Sequence, residues 1–122
     1  LVNAIAGAVL SPTAFDPLTS VPIRITYGAS TAWHSGGTTF DSVADLAEAM
    51  RQGHTPAGEV VVTTALDLLQ LGGQVDLVDT PGVGSEERFD AITAEVLRTL
   101  DAVVLVVRYP ALFTQFTRTL VE

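Results

Sequence analysis

The clearest indication of the fold is the segment Val75-Asp76-Leu77-Val78-Asp79-Thr80-Pro81-Gly82. Its first five residues are rich in Val and Leu, which predicts a strand in an open sheet. Pro81 and Gly82 then stop the strand and turn the chain. Asp79 is therefore predicted at the carboxyl end of a strand, the edge at which open α/β sheets hold their ligands.

The sequence that follows predicts a helix and a second strand. Residues 86–100 have helical spacing of their apolar positions, and residues 102–107 form an apolar run typical of a buried strand. Strand, turn, helix and strand together predict one βαβ unit with a right-handed crossover.

Asp79 and Gly82 are the residue types that metal-assisted phosphoryl transfer needs. A carboxylate holds Mg²⁺ directly or through a water, and a glycine N–H approaches a terminal phosphate without a Cβ in the way. The alternative is an ordinary strand-to-loop turn, because Asp, Pro and Gly are common turn residues. The motif at residues 79–82 gains specificity only if other phosphate-binding or Mg²⁺-binding groups lie upstream.

The composition describes a globular chain of at most one domain, with 122 residues, 48% of them hydrophobic and 16% charged. A net charge of −8 argues against a nucleic-acid-binding surface and against contact of this segment with an anionic bilayer. The absence of cysteine excludes a disulfide scaffold and a thiolate metal site. The longest apolar run, residues 102–107, is far shorter than the roughly 20 residues of a membrane-spanning helix.

The first part of the chain predicts the end of a helix, a loop and a strand. Residues 1–6 have helix-forming composition and stop at Gly7, a residue suited to a helix C-terminus. A loop with two prolines follows, and residues 21–27 then alternate between apolar and polar types as a half-buried strand does. Pro22 stands near the start of that strand, which is a habit of edge strands.

The middle of the chain predicts a helix between two further extended segments. Residues 28–39 are rich in Gly, Ser and Thr and predict either a loop or a short strand pair, with Trp33 as a partly buried anchor. Apolar positions at helical spacing run from 43 to 50, and Asp41 or Ser42 is the predicted N-cap. The Val- and Thr-rich residues 59–66 predict a strand. His34 and His54 have no second ligand at useful spacing and are interpreted as solvated loop residues.

Three segments resemble the GTPase domain of the dynamin superfamily, particularly that of bacterial dynamin-like proteins: Leu1-Val2-Asn3-Ala4-Ile5, residues 11–22 and residues 79–85. The resemblance covers essentially the whole chain. Many GTPases share the motif at residues 79–82, so the proline-bounded segment around Thr19 is the more discriminating part. The resemblance implies an α/β, three-layer fold of the P-loop hydrolase type with a mixed, mostly parallel sheet. It also implies that residues 1–122 are one partial GTPase domain, truncated at both ends.

The resemblance assigns roles to four positions. Thr19 is similar to the switch I threonine that binds Mg²⁺ and orders the attacking water, and Asp79 to the switch II aspartate that reaches Mg²⁺ through a water. Gly82 is similar to the glycine whose N–H meets the γ-phosphate. Val83 stands where Ras-like enzymes carry a water-positioning Gln. The resemblance therefore implies that catalytic help comes from the phosphate loop, a bound monovalent cation and dimerisation across the nucleotide face.

Two motifs of a complete GTPase domain are absent from the sequence. No G-x-x-x-x-G-K-[ST] phosphate loop occurs, since the chain contains no lysine, and no guanine-reading Asn/Thr-Lys-x-Asp follows. The chain is interpreted as a piece of a longer protein and is expected to bind GTP negligibly by itself. The parent is expected to hydrolyse GTP to GDP and phosphate with Mg²⁺, as a homodimer. It is expected to be cytoplasmic and to bind or remodel membrane lipids through regions outside the chain.

Two alternatives to this interpretation stay open at the level of sequence. One is another GTPase with an apolar residue in place of the catalytic Gln, such as a ribosome-assembly GTPase, although such proteins usually carry basic RNA-binding surfaces. The other is a degenerate nucleotide-fold protein that does not hydrolyse GTP and serves as an interaction module. The presence of both Thr19 and Asp79 argues weakly against the second alternative.

Overall fold

The computed structural model describes residues 1–12, 21–52, 58–81 and 87–106, except for the side chains of 87–90. The chain divides into two compact units, Leu1–Pro81 and Gly82–Glu122. The helices and strands of the first unit are α1 Val2–Ala6, β1 Ile23–Tyr27, β2 Ala32–Ser35, β3 Thr38–Phe40, α2 Val43–Arg51, β4 Val60–Thr64, a 3₁₀ turn Asp67–Gln70 and β5 Leu77–Asp79. The second unit contains α3 Glu87–Leu97.

The five strands form one mixed sheet in the order β3-β2-β4-β1-β5. Strands β1 and β4 are parallel, and the other three neighbouring pairs are antiparallel. The expected α/β architecture with a mixed sheet is confirmed and is compatible with a nucleotide-binding fold. The expectation of a mostly parallel sheet is not confirmed for the described strands. A parallel pair needs a long crossover, whereas β2 and β3 are joined directly by Gly36 and Gly37.

The residues flanking the helices explain where α1 and α2 begin and end. Gly7 follows α1 with a φ of 66°, the left-handed conformation that commonly ends a helix. Ser42 precedes α2, and its hydroxyl accepts a hydrogen bond from the Asp45 N–H at 3.1 Å. Both predicted helix boundaries are confirmed, with Ser42 as the N-cap.

The hairpin of β2 and β3 settles the two alternatives for residues 28–39 in favour of a strand pair. Gly36 and Gly37, between the strands, have φ values of 54° and 84°. Two consecutive residues with positive φ form the tight turn that matches the twist of a hairpin. Trp33 is a residue of β2 and is only 6% exposed, so it belongs to the core and is not a loop anchor.

The core lies where the apolar residues of β1 and β4 alternate inward. Ile23 and Ile25 of β1 and Val60 and Val62 of β4 are fully buried. The other buried apolar residues of the described chain that pack with them are Ala6, Leu10, Val21, Trp33, Leu46, Met50 and Leu69. This period-2 pattern is the one that the sequence predicts.

Strand β1 is not an edge strand, contrary to the expectation from Pro22. It lies between β4 and β5 in the sheet. Pro22 precedes the strand, so its missing N–H interrupts no ladder, and its carbonyl accepts a hydrogen bond from the Val60 N–H at 2.9 Å. Strand β5, by contrast, stands at one end of the described strand order.

In the second unit, helix α3 agrees with the predicted helix, but the predicted strand at residues 102–107 is wrong for its described part. Residues 102–106 form no strand. Val104 is 78% exposed, and Val103, Leu105 and Val106 are exposed as well. An apolar run becomes a strand only where a neighbouring strand completes its hydrogen bonds, and the described part of this unit contains no such strand. The predicted βαβ unit is therefore not formed within the described residues.

Candidate functional site

Asp79 is the last residue of β5 and lies at the edge of the sheet where β1 begins. In the antiparallel pairing of these strands it stands opposite Ile23. The two residues therefore share one face of the sheet, and Ile23 is fully buried in the core. Asp79 itself is half-buried. The predicted position of this carboxylate at a strand end is confirmed.

The carboxylate of Asp79 accepts a hydrogen bond from a residue far away in the sequence. The Ser11 hydroxyl donates to Asp79 Oδ2 at 2.7 Å, across 68 positions of the chain. Ser11 is only 3% exposed. The hydroxyl contacts Oδ2 and not Oδ1. The two oxygens of Asp79 therefore have different surroundings.

The side chain of Asn3 holds Ser11 in place. Asn3 lies in α1, and its Nδ2 donates to the Ser11 carbonyl at 2.8 Å. Its Oδ1 accepts from the N–H groups of both Leu10 and Ser11, each at 2.9 Å. One carboxamide thus forms three hydrogen bonds to the segment that carries the Ser11 hydroxyl. Gly7 makes this contact possible because its left-handed conformation turns the chain at the end of α1.

Trp33 anchors the same segment from the sheet. Its indole Nε1–H donates to the Leu10 carbonyl at 2.8 Å in a buried hydrogen bond. Together with the contacts of Asn3, this bond gives each main-chain N–H and C=O of Leu10 and Ser11 a side-chain partner. Such complete pairing fixes the backbone of a two-residue segment that belongs to no helix or strand. We call Asn3, Leu10, Ser11, Trp33 and Asp79 the Asp79 corner.

The partner of Asp79 shows that this residue makes a contact beyond its own turn. An aspartate that shapes a turn usually bonds to backbone groups within a few residues of itself. The hydrogen bond of Asp79 that the structure describes comes instead from a buried side chain of another segment. This arrangement orients a carboxylate at the surface of the core.

The chemistry of the Asp79 corner fits a Mg²⁺ ion bound together with a phosphate. Mg²⁺ prefers oxygen ligands, keeps several waters, and is typically held by one or two carboxylates and the phosphates of a substrate. Asp79 offers one such carboxylate. The described residues contain no group of three or more His, Cys, Asp or Glu side chains that could hold a metal ion by themselves. They fit a shared metal site and not a protein-only cage.

The other predicted site residues lie outside the described residues. This holds for Thr19, Gly82 and Val83, so their proximity to Asp79 stays a prediction. Asn3, Ser11 and Trp33 were not predicted as parts of the site. Asn3 and Ser11 stand within the segments that carry the family resemblance, which is a signal that they share the neighbourhood of Asp79. No local pattern indicates the hydrogen bonds between them.

A pocket lies at the end of β1 opposite to the Asp79 corner. It has a volume of about 350 Å³ and is lined by Tyr27, Gln70, Gly73 and Gln74. Gln74 Nε2 donates to the Thr26 hydroxyl at 3.1 Å. These described lining residues include no ionisable carboxylate, imidazole or cationic group, so they offer no means of binding Mg²⁺ or a phosphate by charge.

In the described chain no helix has the length and hydropathy to cross a membrane.

Comparison with known proteins identifies the family. A comparison with curated proteins gives no significant match, and a comparison with solved structures gives none either. The sequence model of the dynamin family matches residues 1–121, nearly the whole chain. The chain therefore belongs to the dynamin family of GTPases.

Proposed function

We propose that the chain is part of the catalytic domain of a protein that hydrolyses GTP to GDP and phosphate. The observation that carries this proposal is the Asp79 corner, where a buried serine holds a carboxylate at the end of a strand in a chain of the dynamin family. The phosphate loop and the guanine-reading motif, which these residues do not include, would be supplied by the rest of a longer protein.

The role proposed for each residue follows from its position in the chain. Asp79 would hold a metal-bound water through the carboxylate oxygen that Ser11 does not contact. Thr19 would bind the same ion directly and order the attacking water, and the Gly82 N–H would donate to the γ-phosphate. Mg²⁺, when bound, supplies positive charge that offsets the charge developing on the transferred phosphoryl group.

The proposal extends to how hydrolysis is activated and used. Val83 has no hydrogen-bonding side chain and cannot orient the attacking water. Activation would then come from the phosphate loop, a monovalent cation and a second copy of the protein across the nucleotide face. The nucleotide cycle would serve binding or remodelling of membrane lipids by regions outside this chain, at the cytoplasmic face of a membrane.

The test is GTP turnover by the full-length protein across a dilution series, measured for wild type and Val83→Gln together. We expect turnover per molecule to rise with protein concentration, because two nucleotide faces must meet. We expect no gain from Val83→Gln, because the water is positioned by other groups.

Three other outcomes would identify the alternatives. A turnover that does not depend on concentration, with a clear gain in Val83→Gln, would favour a GTPase that acts as a monomer. Stimulation by ribosomal RNA at fixed protein concentration would favour a ribosome-assembly GTPase. Absence of hydrolysis in an intact full-length protein with a phosphate loop would favour an interaction module.

A further inference from the structure

We propose that Ser11 is a positioning residue for Asp79, held in place by Asn3, and that it selects which carboxylate oxygen serves the Mg²⁺ site. This inference rests on the proposed function. Its physical basis is the hydrogen bond from the Ser11 hydroxyl to Asp79 Oδ2 at 2.7 Å.

A carboxylate without a fixed partner does not distinguish its two oxygens. The terminal torsion of aspartate has a broad, roughly two-fold distribution, so rotation exchanges Oδ1 and Oδ2 at little cost. The hydroxyl donor on Oδ2 makes the two oxygens different and limits that rotation. Groups that orient a metal-site carboxylate in this manner contribute strongly to metal affinity, although they do not touch the metal.

The backbone of the donor is held by side chains on both sides. The Ser11 N–H and carbonyl are both bonded to the Asn3 carboxamide, at 2.9 and 2.8 Å. The preceding carbonyl, of Leu10, is bonded to Trp33. Because the backbone of Ser11 is fixed on both sides and the residue is buried, its hydroxyl oxygen can move only by rotation of the side chain between a few staggered positions. Side chains of α1 and β2 therefore place the residue that orients Asp79.

A second buried serine shows what a structural role alone looks like. Ser35, at the end of β2, is also buried, and its hydroxyl donates to the Glu59 carbonyl at 3.4 Å. That bond satisfies a hydroxyl with the backbone group beside it. Ser11 instead donates to a half-buried carboxylate, which water could also solvate. Strands β4 and β1 separate Ser35 from the strand of Asp79, so Ser35→Ala is a matched control for Ser11→Ala.

The test compares wild type, Ser11→Ala, Ser35→Ala and Asp79→Ala in the full-length protein. The first readout is the Mg²⁺ concentration needed for half-maximal binding of a fluorescent, non-hydrolysable GTP analogue, which involves no turnover. The second is the Mg²⁺ concentration for half-maximal GTP turnover, and the third is the thermal unfolding midpoint.

We expect Ser11→Ala to raise both Mg²⁺ requirements by about tenfold, the lower end of the range for removal of an outer-shell partner of a metal site. Saturating Mg²⁺ should restore most of its turnover, because the carboxylate is still present. Ser35→Ala should leave both Mg²⁺ requirements unchanged. Asp79→Ala should lower turnover even at saturating Mg²⁺.

An unchanged Mg²⁺ requirement in Ser11→Ala would overturn the inference, and so would equal shifts in Ser11→Ala and Ser35→Ala. A loss of turnover that Mg²⁺ does not restore, together with a lower unfolding midpoint, would assign Ser11 a structural role only. If Ser11→Ala does not fold, Ser11→Cys is the second variant, since a thiol is a weak donor and fills the site. Its Mg²⁺ requirement must also rise. Wild-type activity in Asp79→Ala would instead refute the proposed role of Asp79.

Discussion

Two aspartates lie at the ends of the short strand β5, and one has a neutral partner whereas the other has a charged partner. Asp79, at the end of the strand, accepts from the neutral hydroxyl of buried Ser11 at 2.7 Å. Asp76, just before the strand, is exposed and forms an ion pair with Arg24 Nη1 at 3.4 Å. The odd spacing between the two aspartates accounts for the difference, because side chains alternate between the two faces of a sheet. Asp79 is on the face of Ile23, and Asp76 is on the face of Arg24.

Formal charge is therefore a poor guide to which contact fixes a side chain. Arg24 also contacts both carboxylate oxygens of Glu59, at 3.0 and 3.1 Å, and these bonds raise its pKa. Ion pairs at such accessible positions are screened by water and contribute little. The neutral donor to Asp79 is the hydroxyl of Ser11, which is buried and has a fixed backbone. This donor therefore orients the Asp79 carboxylate.

The largest effect should come from truncating the two aspartates in turn. Asp79→Ala should lower GTP turnover of the full-length protein by about 10²–10³-fold, the usual cost of losing a group that stabilises charge in the transition state. Asp76→Ala should change turnover by less than about twofold, because it removes an accessible ion pair on the opposite face. Steady-state kinetics with circular dichroism as the folding control would measure both. Equal losses in the two variants would refute the functional difference between the ends of β5.

A smaller effect, on stability, should follow from removing the carboxamide of Asn3. Asn3→Ala leaves the N–H groups of Leu10 and Ser11 and the Ser11 carbonyl without their partner. We expect the free energy of unfolding to fall by about 1–3 kcal/mol in urea titrations. Gln52→Ala is the control, since its amide makes an exposed bond to Glu48 and should change stability by about 0.5 kcal/mol or less. Similar values for both variants would mean that the Asp79 corner is not a cohesive unit.

The smallest effect should come from the ion pairs of Arg24. Arg24→Met should lower the free energy of unfolding by about 1 kcal/mol or less, and the loss should shrink in high salt because mobile ions screen accessible charges. Since the pKa of Arg24 is raised, its contribution is present at neutral pH and is lost only at strongly alkaline pH, as the pH rises through that pKa. A loss above about 2 kcal/mol that does not depend on salt would contradict the conclusion that the ion pairs of Arg24 are screened and contribute little.

Local features of the fold were predictable, whereas contacts across the chain were not. The turn at Gly7, the cap at Ser42 and the alternation in β1 each depend on a few neighbouring residues, and all three agree with the structure. The exposed residues 102–106 illustrate the limit, because an apolar run does not reveal whether a pairing strand lies beside it.

The same limit applies to the candidate site. Asp79 was predictable, because a carboxylate between a Val-rich strand and a Pro-Gly turn marks a strand end. Ser11 was not, because its contact with Asp79 spans 68 residues. The position of β1 inside the sheet was missed for a related reason. Pro22 indicates an edge strand only if it lies within the strand. In the structure the strand begins at Ile23, so Pro22 lies just before it.

The indole of Trp33 gives the chain a built-in optical reporter. Trp33 is the single tryptophan among the 122 residues, and its Nε1–H is bonded to the Leu10 carbonyl, directly before Ser11. Indole emission shifts when this hydrogen bond breaks or when water enters. Stopped-flow fluorescence of the chain, without any label, would therefore time a displacement of the segment that holds Ser11. In the full-length protein, with any tryptophan outside this chain replaced, the same signal would reveal whether that segment moves before, with or after the binding of a nucleotide.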